Sequence, residues 1–202
     1  MTQITLPLDW PAANKPEDFI VSPANALAVR HLDHLSLWPV RATLLTGPRK
    51  SGRTMLGRIF AQRYGGRLID DADRVDEEEL FHAWNRAQNE GQPLLIVADV
   101  PPPGWQVALP DLRSRLAATP QVAIGDPDDA LAAALIERML GVRGIVLGRD
   151  AIDWLLARIE RSYVSILRVV DLIDAAAWQG RRRITLPVVR EVLREAGLIS
   201  AS

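Results

Sequence analysis

No cysteine occurs anywhere in the 202 residues, which excludes disulfides, thiolate metal sites and thiol nucleophiles and fits a reducing compartment. There is no surplus of charge either. Lys and Arg number 24 against 25 Asp and Glu, a formal net charge of −1, so nothing draws the whole chain to nucleic acid or an anionic membrane, and any DNA role is local or indirect. No apolar run approaches the roughly 20 residues that cross a bilayer. The opening "MTQITLPLDWPAANKPEDF" lacks the basic start and apolar stretch of a signal peptide, which leads to the expectation of a cytoplasmic protein with no membrane partner. Low-complexity tracts and internal repeats are absent. What is present is a hydrophobic content of 48%, ordinary for a globular protein, in a chain long enough for one ample domain or for a core domain with a small second one.

Residues 1–18 carry three prolines and no helical periodicity, which predicts an extended tail. In residues 24–37, Leu27, Val29, Leu32 and Leu35 fall near helical spacing, and Pro39 ends the run. "VRATLLT" reads as a strand, and "TMLGRIFAQRY" as a helix stopped by Gly65 and Gly66. "RLIDDAD" is a second short strand. Asp76 with Glu79 predicts a capped helix whose apolar face is Leu80, Ala83, Trp84 and Ala87. "PLLIVADV" is continuously apolar, as expected of a strand buried on both faces of a parallel sheet. A helix around "LPDLRSRLAA" and a strand near "QVAIG" follow. Alternating strands and helices predict an α/β three-layer body with a parallel sheet. From Asp126 onward the pattern is all helical: Asp126 is expected to cap, Pro127 to take the first helical position, and Thr185 with Pro187 to open a last helix closed by Gly197. The expected division is a tail at 1–11, an α/β body at 12–127 and a small helical lid at 128–202.

Between the first strand and its helix lies "GPRKSGRT". Gly47, Gly52 and Thr54 keep the spacing of the phosphate-binding loop G-x-x-x-x-G-K-[ST], but Arg53 stands where lysine is usual. Such a loop works because backbone N–H groups and the positive end of the following helix converge on phosphate. Arg53 keeps the charge and grips phosphate with a planar fork, although it is bulkier and less adjustable than an ammonium. Thr54 would ligate magnesium. Asp70 and Asp71 end the second strand, either as carboxylates near that ion or as a solvated acidic turn. Asp99 ends the third, at the carboxyl edge where ligands of such sheets bind. Arg113 and Arg115 either solvate a helix face or offer an arginine finger to a phosphate on a neighbouring subunit. His31, His34 and His82 are scattered and assemble no metal set or catalytic dyad. "GRRR" at 180–183 reads as a solvated turn. In "QITLPL", Ile4, Leu6 and Leu8 are either pinned to the body as an edge strand or displayed as a linear motif.

Together these stretches resemble the AAA+ proteins of the DnaA/Hda family, across essentially the whole chain. "QITLPL" is similar to the family's sliding-clamp motif, with Gln3, Leu6 and Leu8 as anchors. "FIVSPAN" resembles the segment framing adenine, which implies Phe19, Ile20, Val21 and Asn25 in nucleotide binding. "GPRKSGRT" stands for Walker A, implying Gly47, Lys50, Ser51, Gly52, Arg53, Thr54 and Met55, and Hda members are known to carry arginine there. "LIDDAD" resembles Walker B, with Asp70 and Thr54 on Mg2+, and "LLIVADVPP" resembles sensor I, with Asp99 at its polar position. "LPDLRSRL" resembles the arginine-finger segment, implying Arg115 as a finger acting in trans. The resemblance implies ADP or ATP with Mg2+ as cofactors. Its implied partners are DnaA and the sliding clamp (the β subunit of DNA polymerase III), with DNA met only indirectly, and it leaves room for a homodimer. The implied activity is stimulation of ATP hydrolysis by DnaA, and hence negative regulation of replication initiation.

Two departures from the pattern stand out. Only "GGR" separates the loop's helix from the Asp70 strand, so a sheet of four strands is expected where relatives have five. Val164 stands where sensor II arginine is usual, leaving Arg161 or Arg168 as off-register substitutes. The alternatives are an autonomous ATPase using Thr54, Asp70 and Asp99, and an adaptor that has no need of nucleotide.

Overall fold

A computed structural model of the chain describes residues 19–180 and 183–199; Gln3, Leu6, Leu8 and the arginines at 181 and 182 lie outside the described residues. The chain enters through α1 (Ala26–Asp33) and a short 3-10 turn (Leu35–Leu37) to β1 (Ala42–Thr46), and then alternates. Next come α2 (Arg53–Tyr64), β2 (Arg67–Ile69), a 3-10 turn (Ala72–Arg74), α3 (Glu77–Glu90), β3 (Leu94–Val97), α4 (Pro110–Ala118) and β4 (Gln121–Ala123). The four strands form one parallel sheet in the order β2-β3-β1-β4.

Because side chains alternate along a strand, β1 and β3 serve two cores at once. Ala42, Leu44, Leu94 and Ile96 pack on α3 and α4 through Leu80, Ala83, Leu112 and Leu116. Leu45, Leu95 and Val97 pack on α1 and α2 through Ala28, Leu32, Leu56 and Phe60. Every residue of both strands is buried, which is why β3 reads as an unbroken apolar run and β1 as apolar but for Thr43 and Thr46.

The remaining helices, α5 (Asp129–Val142), α6 (Arg149–Leu156), α7 (Tyr163–Gly180) and α8 (Leu186–Glu195), share a separate core around Ile136, Leu140, Leu155, Val169, Ile173 and Val189. This lid also touches the body, since Leu131 and Tyr163 join the core on the α1 and α2 side.

Two boundaries differ from expectation. The first helix stops at Asp33, about a turn short of Leu37. There its last carbonyls are taken by other donors, with Trp38 Nε1 donating to the His31 carbonyl at 3.0 Å and His34 Nδ1 bonded to the Arg30 carbonyl at 2.7 Å. The first lid helix is capped by Asp128 and not by Asp126. The Asp128 carboxylate accepts the Leu131 N–H at 2.7 Å, and the helix begins at Asp129, so Pro127 precedes it. Both aspartates carry the capping chemistry, and the one whose carboxylate reaches an N–H of the first turn is Asp128.

Candidate functional site

The loop between β1 and α2 owes its shape to two glycines. Gly47 has φ +150, and a Cβ there would sit 2.7 Å from the Ile124 carbonyl oxygen just past β4. Gly52, the residue before α2, has φ +89 and lies against the Phe19 ring. Lys50 also has a positive φ of 66. Alternation of left- and right-handed residues ahead of a helix is the backbone arrangement that gathers N–H groups into an anion nest. Within it, Ser51 is 7% exposed and its Oγ has no hydrogen-bond partner. A buried orphan hydroxyl is costly unless something answers it, and a bound phosphate would.

Beside the loop a cavity of ≈ 210 Å³ opens between body and lid. Phe19, Ile20 and Asn25 line it from the entry segment, Lys50, Ser51, Gly52 and Met55 from the loop, and Leu131, Leu135, Met139, Tyr163, Ile166 and Leu167 from the lid. Asn25 is 3% exposed and locks the entry segment, its Oδ1 accepting the Ser22 N–H and its Nδ2 donating to the Ile20 carbonyl, both at 2.9 Å. An apolar slot ending at a phosphate loop suits an aromatic base with a phosphorylated tail. Val21 is not part of it. It is 57% exposed and lines a neighbouring pocket with Leu56, Phe60 and Tyr64.

Arg53, the first residue of α2, is 9% exposed. Its Nη1 donates to the Ala98 carbonyl and its Nη2 to Asp99 Oδ1, both at the end of β3. The Arg53 hydrogen bond holds the Asp99 carboxyl below its usual range, with burial opposing and Arg53, Arg49 and Arg74 adding charge. Asp99 Oδ2 lies 3.9 Å from Arg74 Nη2. Thr54 follows Arg53, half-buried in the first turn of α2. Asp70, just past β2, is half-buried and accepts the Asp71 N–H at 3.1 Å. Among the described residues there is no cluster of three or more His, Asp or Glu that holds a metal by itself, so an ion near Thr54 and Asp70 would need phosphate and water to complete its shell.

Val164 is 53% exposed at the mouth of a wider cleft that it lines with Arg49, Lys50, Leu167 and Arg168. Arg161 is committed elsewhere, its Nε donating to Asp129 Oδ1 at 2.6 Å. Of the two off-register arginines, only Arg168 faces the loop's cations across that cleft.

Arg113 and Arg115 separate clearly. Arg113 is spent on its own chain, donating from Nε and Nη2 to the Val107 carbonyl at 3.0 and 2.7 Å. Arg115 projects from α4 onto α3. Its guanidinium carbon lies 4.3 Å from the centre of the Phe81 ring and 5.4 Å from Trp84, Nε donates to Asn85 Oδ1 at 2.9 Å, and Nη1 donates to the Asp111 carbonyl at 3.0 Å. The histidines hold structure: His31 pairs with Thr43 Oγ1 and stacks on Trp38, and His82 sits edge-on to Phe81.

Sequence reasoning did not anticipate the lid's share of the cavity. Leu131, Leu135 and Met139 are spaced i, i+4, i+8, a visible stripe, but a stripe alone does not say whether it faces a core or a ligand.

A glycine loop opening a helix at the carboxyl edge of a parallel sheet, with a helical lid leaning over it, defines an AAA+ P-loop protein. Solved structures agree on that fold. Domain III of the Thermotoga maritima replication initiation protein DnaA superposes with a TM-score of 0.73 at 16% identity, over 89% of this chain and 95% of that one. AMPPCP-bound DnaA from Aquifex aeolicus gives 0.66 at 19% identity, over 84% and 67%. The RuvB Holliday junction branch migration motor of Thermotoga maritima gives 0.67 at 17% identity, over 90% and 72%. In sequence, an uncharacterized protein of Haemophilus influenzae is 31% identical over 131 residues, which is 62% of this chain and 57% of that one. The match therefore spans little more than half of that relative. Residues 128–193 match the family model of the Hda lid domain. The fold is that of the AAA+ DnaA and RuvB structures, and residues 128–193 carry a lid of the Hda type.

Proposed function

We propose that this protein holds a nucleotide, ADP or ATP with Mg2+, between its glycine loop and its lid and presents Arg115 to the triphosphate of a neighbouring DnaA. The tail, through Gln3, Leu6 and Leu8, tethers it to the sliding clamp, so that DnaA's ATP is hydrolysed where DNA has just been copied and initiation is restrained in the cytoplasm. The single observation that carries the reading is the mounting of Arg115. It is half-buried against Phe81 and Trp84 of α3, fixed through two of its nitrogens, and is not among the residues that line the cavity at its own chain's loop. A finger supplied to a second molecule needs that placement, and one arginine of this kind is worth roughly 10³–10⁵ in rate. The Hda-type lid supports the DnaA side of the reading. On the nucleotide side, the base would lie against Phe19, Ile20, Asn25 and Met55, and the phosphates against Gly47, Lys50, Ser51 and Gly52. Thr54 and Asp70 would steady the ion.

The test measures ATP hydrolysis by the cognate DnaA in the presence of clamp-loaded DNA, with and without this protein and its Arg115→Ala form. Stimulation by the native protein that the variant loses is the expected result. Absence of stimulation, or equal stimulation by the variant, refutes the mechanism. Clamp capture by the native chain and its loss in Gln3→Ala with Leu6→Ala tests the tail.

The ion pair between Arg53 and Asp99 favours one second reading, an adaptor that links clamp and DnaA without nucleotide, since the loop's cation already has a protein counter-ion. Calorimetry with ADP separates the two.

A further inference from the structure

Arg53 stands where a P-loop cation ordinarily reaches toward the outer phosphates, yet its guanidinium is turned to the end of β3. Two of its donors are engaged there, one by a carbonyl and one by a carboxylate. Lysine could not do this in the same way, because its single nitrogen lacks the fixed fork that spans two acceptors. Three features make this more than a strut. The acceptor is the sensor-position residue Asp99, at the edge where ligand binds. The adjoining Ser51 hydroxyl is buried and unanswered, so the loop has an unmet need that Arg53, engaged at the end of β3, does not meet. And Asp99 already has a second cation waiting, Arg74, 3.9 Å from its other oxygen and 60% exposed.

We propose that Arg53 and Asp99 form a latch at the phosphate loop: nucleotide phosphates and the Asp99 carboxylate compete for one guanidinium, and Arg74 receives Asp99 when Arg53 is drawn to phosphate. The proposal rests on the nucleotide-binding reading of the loop. Asp99 works against phosphate twice, by neutralising Arg53 and by its own negative charge. Opening the latch in a partly buried place would strand a carboxylate, which is expensive; the handover to Arg74 removes that cost. Asp99 is thus a positioning residue that sets affinity, and the identity of position 53 is tied to it.

Calorimetric titration of the full chain with ADP tests this on the native protein, Asp99→Asn, Arg74→Ala and the double variant. Asparagine keeps the shape and removes the charge, so Asp99→Asn should bind ADP about tenfold tighter, a change of ~1.4 kcal/mol. Arg74→Ala should bind about fivefold weaker, since Asp99 then has nowhere to go. In the Asp99→Asn background the Arg74→Ala loss should shrink to less than about half on a logarithmic scale, because no carboxylate remains to be received. A merely structural pair would give the reverse, with Asp99→Asn leaving ADP affinity unchanged or weaker, and that result overturns the latch. Should Asp99→Asn fail to fold, Arg53→Lys carries the same test, since an ammonium cannot keep both acceptors; tighter ADP binding is expected, and unchanged or weaker binding refutes. Heat from the native protein with no gain in either variant removes the latch and leaves the nucleotide site standing. No heat from any form removes both. Heat from Asp99→Asn alone supports a latch the native chain keeps shut.

Discussion

Glu77 caps a helix that is not its own: its Oε2 accepts the N–H of Leu109 at 2.6 Å, and its Oε1 accepts that of Ala108 at 2.8 Å. Glu77 is the first residue of α3, while Leu109 is the N-cap residue of α4 and has no side-chain oxygen with which to cap it. A carboxylate at a helix N-terminus satisfies orphan donors and faces the positive end of the dipole. The helix bearing Arg115 is therefore pinned at its start by the same element that supplies Phe81, Trp84 and Asn85 beneath the guanidinium.

Glu77→Ala should accordingly cost about 1–2 kcal/mol, the range of a lost N-cap. It should also raise amide exchange across the start of α4. Urea unfolding gives the first number and exchange mass spectrometry the second. A fully stable variant with a protected α4 would show that the cap is incidental.

Replacing Arg115 by lysine should be almost as damaging to DnaA stimulation as alanine, lowering it at least about tenfold, because an ammonium cannot stack on Phe81, bond Asn85 and Asp111, and still extend a planar fork to phosphate. The cation–π contacts and the Asn85 bond are worth about 1 kcal/mol of stability, so a modest fall in melting temperature is expected alongside. ADP affinity should not move, since Arg115 is not among the residues lining its own chain's cavity. A lysine variant with full stimulation would mean that charge alone suffices.

Gly47→Ala probes the loop from its other side. The new methyl would meet the Ile124 carbonyl at 2.7 Å, and φ +150 is strained for any L side chain. The expected cost is about 1–3 kcal/mol, with ADP binding weakened beyond detection if the loop moves to relieve the clash. Thermal unfolding and calorimetry read the two effects. A native melting curve would mean that the loop yields to a side chain at position 47 without cost.

The order of strands and helices could be read from the chain because each period is local: the apolar runs at 42–46 and 94–97 and the capped helix at 77–90 announce themselves. The short link through Gly65 and Gly66 likewise announced a four-stranded sheet, which is what forms. The loop's position and its need for glycine were visible too, in Gly47 and Gly52. What the sequence could not disclose was pairing across distance. Arg53 and Asp99 are 46 residues apart, Glu77 and Leu109 are 32, and no periodicity links them. Asp126 misled because two nearby aspartates offer equal capping chemistry, and only the backbone decides which carboxylate meets Leu131. Val21 was carried over with the whole adenine-framing segment, and which of its residues line the cavity depends on packing that the sequence does not display.

Tyr163 ties the lid to the body, donating from its hydroxyl to the Gly125 carbonyl at 3.0 Å. Burial, with the carboxylates of Asp126 and Asp128 adding to it, pushes its phenol up to about 12, against about 10 for an unfolded tyrosine. The folded value is the higher one, so the stabilisation is complete below pH ~10 and is lost as pH rises from about 10 through about 12, at up to ~1.4 kcal/mol per pH unit. Only two tyrosines are present, and Tyr64 is also raised, by burial first and then by its bond to Asp33. Phenolate absorbance should therefore stay low past the ordinary tyrosine range, and Tyr163→Phe should remove the later of two steps. The same variant should unfold in urea with a shallower loss of stability between about pH 10 and 12 than the native chain. A single step at the ordinary value, or identical slopes for the two proteins, would place Tyr163 in water and detach it from the junction between body and lid.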